Sequence, residues 1–67
     1  MTKFAERLLE LRLEKNLTQK QLGAAAGLSQ NAIAQWENDK RRPGADALIA
    51  LAGYFDVSVD YILGLED

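Results

Sequence analysis

The stretch TQKQLGAAAGLSQNAIAQWEN, from Thr18 to Asn38, contains two helix starts and one helix stop. Leu17-Thr18 leads to Leu22, and Leu28-Ser29 leads to Ile33. In each case an apolar residue precedes a hydroxyl, and a second apolar residue follows four positions after it. That is the pattern of a hydrophobic staple around an N-cap. Gln21 stands three residues after Thr18 and completes a capping box. Gly27 accepts the left-handed backbone at a helix C-terminus, so the first of the two helices ends before Ser29. Only three residues, Gly27 to Ser29, then separate the helices, and so short a connection makes them cross steeply. The crossing needs small side chains, supplied by Gly23, Ala24, Ala25 and Ala26. Leu22, Leu28, Ile33 and Trp36 supply the faces that are buried.

The same signals extend outward. Phe4, Leu8 and Leu11 recur at helical spacing with charged residues between them, which predicts an amphipathic helix ending near Lys15 or Asn16. Beyond Trp36, Asn38-Asp39 tolerates a left-handed turn, and Arg42-Pro43-Gly44 keeps the chain irregular. Ala45, Leu48, Ile49, Leu51, Ala52 and Phe55 then form a broad apolar stripe on a fourth helix. Val57-Ser58 with Ile62 repeats the staple and starts a short fifth helix that stops at Gly64. No segment alternates with period two long enough to make a strand. The chain therefore reads as one all-α domain, residues 1–67, with helices over roughly 2–15, 19–26, 30–38, 45–55 and 59–63.

A domain of 67 residues buries about 60% of the surface that its unfolded chain exposes. There is no cysteine and no histidine, which removes disulfides, thiolate metal sites and the commonest general base. Ser29, Ser58, Thr2 and Thr18 have no such partner to activate them, and the ten carboxylates follow no metal-ligand spacing. The reading is of a protein without catalytic residues, metal or cofactor. Lys3, Glu6, Arg7 and Glu10 interrupt the apolar residues near the N-terminus, against a secretory signal there. No apolar run approaches the ~20 residues of a membrane span. A cytoplasmic setting is expected, with no membrane partner.

The net charge of -2 is unevenly distributed. Residues 1–43 hold all eight Lys and Arg against five acids, whereas residues 44–67 hold five acids and no base. Such asymmetry lets one part of a chain face phosphate while another faces away.

The run from Thr18 to Asn38 resembles the helix-turn-helix of the lambda-repressor/Cro-like, or XRE-like, family. ERLLELRLEKNLT is similar to that family's first helix, and DALIALAGYFDVSVDYILG to its fourth and fifth, so the likeness covers nearly the whole chain. The resemblance implies a five-helix DNA-binding domain whose helix after Ser29 lies in the major groove. It also marks departures. Gly23 stands where Ala is usual, at some cost in helix propensity. Ala34 stands where a polar residue is common. Asp39 stands where Gly is usual, and it puts a negative charge near the expected phosphate path.

By the same resemblance Gln30, Asn31 and Gln35 take the positions that contact base edges, and Gln and Asn pair with adenine bidentately. The same residue types also suit any solvated helix face. Ala32 and Ala34 suit either a thymine methyl or simple helix propensity. Gln19, at a helix N-terminus, matches a phosphate-contacting position. Asn38, Lys40, Arg41 and Arg42 match a loop that clamps the backbone. Arg12 and Glu37 match an ion pair between the first and third helices. Trp36, on the Leu22/Ile33 face, reads as core. Tyr61 and Leu65 are candidates for a dimer surface, while Val59 and Ile62 read as core.

These implications describe a sequence-specific regulator of bacterial or phage type, a repressor, that occupies a double-stranded operator as a homodimer without a small-molecule ligand. The other reading, to which the acidic C-terminal third lends weight, is a protein-interaction module on the same fold, such as an antitoxin or anti-repressor.

Overall fold

The computed structural model describes residues 2–66; residues 1 and 67 of the single-domain reading lie outside the described residues. Five helices follow in order, with no strand among the described residues: α1 Lys3–Glu14, α2 Gln19–Ala26, α3 Gln30–Glu37, α4 Ala45–Phe55 and α5 Val59–Ile62. The expected elements at 2–15, 30–38 and 59–63 are each shorter, because their terminal residues act as caps.

Hydroxyls start four of the helices. The side chains of Thr2, Thr18, Ser29 and Ser58 accept the backbone N–H of the residue three positions on, and Thr18 with Gln21 forms the full reciprocal box. Each satisfies a donor that the helix leaves unpaired, worth about 1 kcal/mol. Gly44 starts α4 without a side-chain cap.

All five helices also end alike. Asn16, Gly27, Asp39, Asp56 and Gly64 adopt positive φ. The next residue in each case donates its N–H to a carbonyl five residues back: Leu17 to Arg12, Leu28 to Gly23, Lys40 to Gln35, Val57 to Ala52 and Leu65 to Asp60. This is the Schellman closure. Asn and Asp stand at three of the five positions because their short polar side chains tolerate the left-handed region better than most.

The core draws on every helix: Phe4, Leu8 and Leu11, then Leu22, Ile33 and Trp36, then Leu51, Phe55 and Ile62. Leu8, Leu22, Ile33, Leu51 and Ile62 are fully buried, each contributing roughly 1.5–3 kcal/mol. Trp36 is buried and meets Phe4 edge-on, ring centroids 6.4 Å apart. Val59 is half-buried. The apolar stripe of α4 is narrower than its sequence pattern, since Ile49 is 64% exposed and Ala45 is also exposed.

Of the small residues expected at the crossing of α2 and α3, Gly23 is the buried one. Ala24 and Ala25 are exposed, and Ala26 is half-buried against the core. Gly23 is buried, and a Cβ built on it would lie 2.6 Å from the Leu28 carbonyl oxygen and 3.3 Å from the Gln30 nitrogen. Both neighbours are backbone, in the turn that leads into α3. Glycine therefore suits this turn as it stands, and an alanine would require its backbone to shift.

A second constraint locks α3 to α1. Arg12 Nε donates to Glu37 Oε2 at 2.8 Å and a terminal guanidinium nitrogen donates to Oε1 at 3.0 Å. The other terminal nitrogen donates to the Leu17 carbonyl at 2.8 Å, and Gln19 Nε2 donates to Glu37 Oε1 at 3.0 Å. The side chains of Arg12 and Glu37 are only 13% and 6% exposed. The hydrogen bond to Glu37 raises the Arg12 pKa further above its ordinary value.

Two stability measurements test these constraints. Gly23→Ala should lose roughly 1–3 kcal/mol to overpacking, against a helix-propensity gain of about 0.5–1 kcal/mol, so its urea midpoint falls. Glu37→Ala strands a buried guanidinium and should cost about 3–5 kcal/mol. The double replacement Arg12→Met with Glu37→Met should lose much less than the sum of the two single truncations.

Candidate nucleic-acid interface

α3 is an eight-residue helix with one face in the core and the other outward. Ile33, Trp36 and Glu37 occupy the inner face. Gln30 and Asn31, in the first turn, are exposed, and Gln35 is half-buried one turn beyond Asn31. At about 100° per residue these three fall within one outward arc. Their side chains make no hydrogen bond among the described residues, which leaves their donors and acceptors to an incoming group. Ala32 packs against the core, so the inner packing accounts for its small size. Ala34 is half-buried.

Gln19 opens α2, where backbone N–H groups emerge from the helix. Its side chain is half-buried and donates to Glu37, which holds it between α2 and the end of α3. Its side-chain carbonyl stays available. Asn38 is exposed, and its side-chain amide donates to the Ala34 carbonyl at 2.9 Å, so one of its donors closes the end of α3. Lys40, Arg41 and Arg42 follow, all exposed. No hydrogen bond or ion pair among the described residues engages their side chains. Two of the chain's other cations are hydrogen-bonded internally, and a third, Lys15, has its Nζ 5.7 Å from the Tyr54 ring centroid. Arg12 is bound to Glu37. Arg7 donates to the carbonyls of Tyr61 and Glu66, its guanidinium 4.1 Å from the Tyr61 ring centroid. The cluster from Lys40 to Arg42 is therefore the densest solvent-facing positive charge that the fold offers.

Asp39 lies inside this cluster in sequence, but its carboxylate is held elsewhere. Oδ2 accepts the Thr2 N–H and Oδ1 accepts the Thr2 hydroxyl, both at 2.7 Å. The hydroxyl bond leads the causes that hold the Asp39 carboxyl below the usual aspartate range. The family resemblance puts this charge near the expected phosphate path; in the fold its carboxylate is bonded to Thr2 at the start of α1. The role of Thr2 was missed. A Thr just before the apolar periodicity of Phe4 signals an N-cap, but no local pattern signals a partner 37 residues away.

At the opposite end of the chain Leu65 is 73% exposed, whereas Tyr61 is half-buried beneath Arg7. Among the described residues no group of His, Cys, Asp or Glu is disposed to hold a metal, and no helix is long and apolar enough to cross a membrane.

Comparison with known proteins accords with this geometry. A helix-turn-helix family profile matches residues 8–62. The chain is 41% identical over 64 residues to an uncharacterized HTH-type transcriptional regulator, YobD, of Bacillus subtilis (strain 168), covering 96% of this chain and 57% of that protein. It is 38% identical over 61 residues to the immunity repressor protein of Bacillus phage phi105, covering 91% of this chain and 42% of that protein. The chain thus spans about half the length of these curated relatives. Its fold matches the P22 c2 repressor, crystallised in complex with a synthetic operator, with a TM-score of 0.87 and 33% identity over 94% of this chain and 96% of that one. It also matches the restriction-modification controller protein C.AhdI of Aeromonas hydrophila, with a TM-score of 0.82 and 30% identity over 91% and 92% of the two chains. With its five-helix order, its tight turn after α2 and a family match over most of its length, the chain belongs to the lambda-repressor-like, or XRE-like, family of helix-turn-helix domains.

Proposed function

We propose that this chain is a sequence-specific, double-stranded DNA-binding transcriptional regulator that acts as a repressor by occupying an operator in the bacterial cytoplasm. The observation that carries this reading is the likeness, at a TM-score of 0.87, to a repressor held on operator DNA. The outward face of α3 and the cations that follow it give that likeness a chemistry. In this reading α3 enters the major groove, and Gln30, Asn31 and Gln35 read base edges with their unpaired amides. Gln19, Asn38, Lys40, Arg41 and Arg42 hold the phosphates on either side.

No chemistry on the DNA is involved; binding alone blocks the site. One module covers too few base pairs for high specificity, so the operator is two-fold and the bound form a homodimer. Leu65 is the apolar contribution to that interface, and Tyr61 contributes only what Arg7 leaves uncovered. The acidic residues that follow Gly44 lie on α4, α5 and their flanks. Their charge limits non-specific attraction to phosphate.

Selection of bound sites from random duplex DNA at low salt tests this directly. The expected result is an enriched two-fold site. Failure to enrich any site, with binding to a protein partner instead, would establish the interaction-module reading. On the selected site, Gln30→Ala and Asn31→Ala should each relax base preference by about 1–3 kcal/mol at one position. Lys40→Ala and Arg42→Ala should weaken all sequences alike and reduce the slope of log affinity against log salt by about 0.9 apiece.

A further inference from the structure

Four of the five helix ends are closed by an apolar residue, and one is not. Leu17, Leu28, Val57 and Leu65 donate the closing N–H after α1, α2, α4 and α5, and the first three of them pack against the core. This apolar contact normally accompanies the closure and anchors the chain as it leaves the helix. After α3 the closing residue is Lys40, which is exposed. The segment carrying Lys40, Arg41 and Arg42 therefore starts without an apolar anchor, as does the chain at Leu65, which is 73% exposed.

The surroundings do not replace that anchor. A cleft of about 330 Å³ lies beside the segment, lined by Lys3, Phe4, Arg41, Arg42, Leu48 and Leu63 among others. Arg41 and Arg42 border this cleft instead of packing into the core, and the chain next becomes half-buried at Pro43. Among the described residues, the side-chain hydrogen bonds that tie the segment between Glu37 and Pro43 to another element run from Thr2 to Asp39, two bonds of 2.7 Å. Thr2 is a firm partner because its hydroxyl also accepts the Ala5 N–H and so belongs to the first turn of α1. The carboxylate lies at that helix N-terminus, where the macrodipole favours negative charge.

We infer that Asp39 is a positioning residue for DNA binding: its two hydrogen bonds to Thr2 take the place of the missing apolar anchor and hold Lys40, Arg41 and Arg42 where they meet the phosphate backbone. This inference rests on the DNA-binding reading above. It reverses the effect expected of a carboxylate in that loop. Charge alone makes Asp39 a liability, and Asp39→Gly, which relaxes the positive φ as well, would then tighten binding. With the clasp, the same substitution releases the loop and weakens binding.

The test uses the full chain and a labelled duplex of random sequence at low salt, because phosphate contacts need no particular sequence. Asp39→Gly should bind roughly three- to tenfold more weakly than the wild type, the loss of about one net hydrogen bond. Its salt slope should fall by about 0.9 for each phosphate contact given up. Asp39→Asn, which keeps one acceptor and tolerates the same backbone, should lie between the two. Thr2→Val should weaken binding when residue 39 is Asp and leave it unchanged when residue 39 is Gly. A purely structural loss of the α1 cap would act equally in both backgrounds.

Backbone relaxation in the DNA-free protein supplies an independent readout. Order parameters at Arg41 and Arg42 should fall below about 0.6 in Asp39→Gly while Trp36 stays near 0.85. Binding by Asp39→Gly as tight as the wild type, or an unchanged order of residues 40–42, would overturn the inference and leave the regulator reading intact. A wild type that ignores duplex DNA altogether overturns the regulator reading, and this role for Asp39 falls with it.

Discussion

The guanidinium of Arg12 stands where three helices meet, and the position of α3 depends on it. It binds Glu37 at the end of α3 with two parallel bonds and holds the Leu17 carbonyl in the turn before α2. Glu37 in turn receives Gln19, which opens α2. Bidentate geometry constrains both distance and orientation, and charge assistance roughly doubles the strength of each bond. Apolar packing between Trp36 and Phe4 would hold α3 against α1 without setting its rotation so closely. A buried pair of this kind is weak evidence for net stability, since desolvation offsets much of the attraction. Its value here is geometric: it aligns the end of α3 with the start of α2, the two places from which phosphates would be held.

Spending Arg12 and Arg7 on architecture has a consequence for charge. Both are covered by internal partners, so the exposed cations are Lys3, Lys15, Lys20 and the cluster from Lys40 to Arg42. The total of eight Lys and Arg overstates the positive surface, and the net charge of -2 understates it locally. α4 and α5 carry Asp46 and Asp60, with Asp56 and Glu66 on their flanks, and pack on each other and against α2 and α1. Topology, rather than composition, therefore separates the two signs. In the loop after α3, which carries three consecutive cations, the one acid, Asp39, is hydrogen-bonded to Thr2.

Much of this was legible in the chain before any fold was known, and for local reasons. Caps act within three or four residues, so Thr18 with Gln21, Ser29 and Ser58 announce their helices directly. Gly27 announces its stop in the same way. Helical periodicity marked Leu8, Leu22, Ile33, Leu51 and Ile62, all of which are fully buried. The outward residues of α3 came from the resemblance to a family, without which Gln30 and Asn31 read as ordinary solvated amides. Where the pattern misled, the missing information was tertiary. Ile49 fits the stripe of α4 but has no neighbouring element to cover it. Ala24 and Ala25 look like crossing residues, yet both are exposed, whereas Gly23 lies buried against the turn.

What the sequence by itself determined is the set of elements: five helices, their caps, the tight turn after α2 and the apolar residues that fill the core. Each of these depends on interactions within about one turn of chain or on a face defined by periodicity. What only the tertiary structure decided is how distant residues use one another. Gly23 lacks room for a Cβ because Leu28 and Gln30 fold back over it. Gln19 is drawn onto Glu37. Asp39, an unexpected negative charge on paper, closes onto Thr2, a residue 37 positions earlier. Hydrogen-bond partners at such separations are set by the packing of whole helices, which no local pattern encodes.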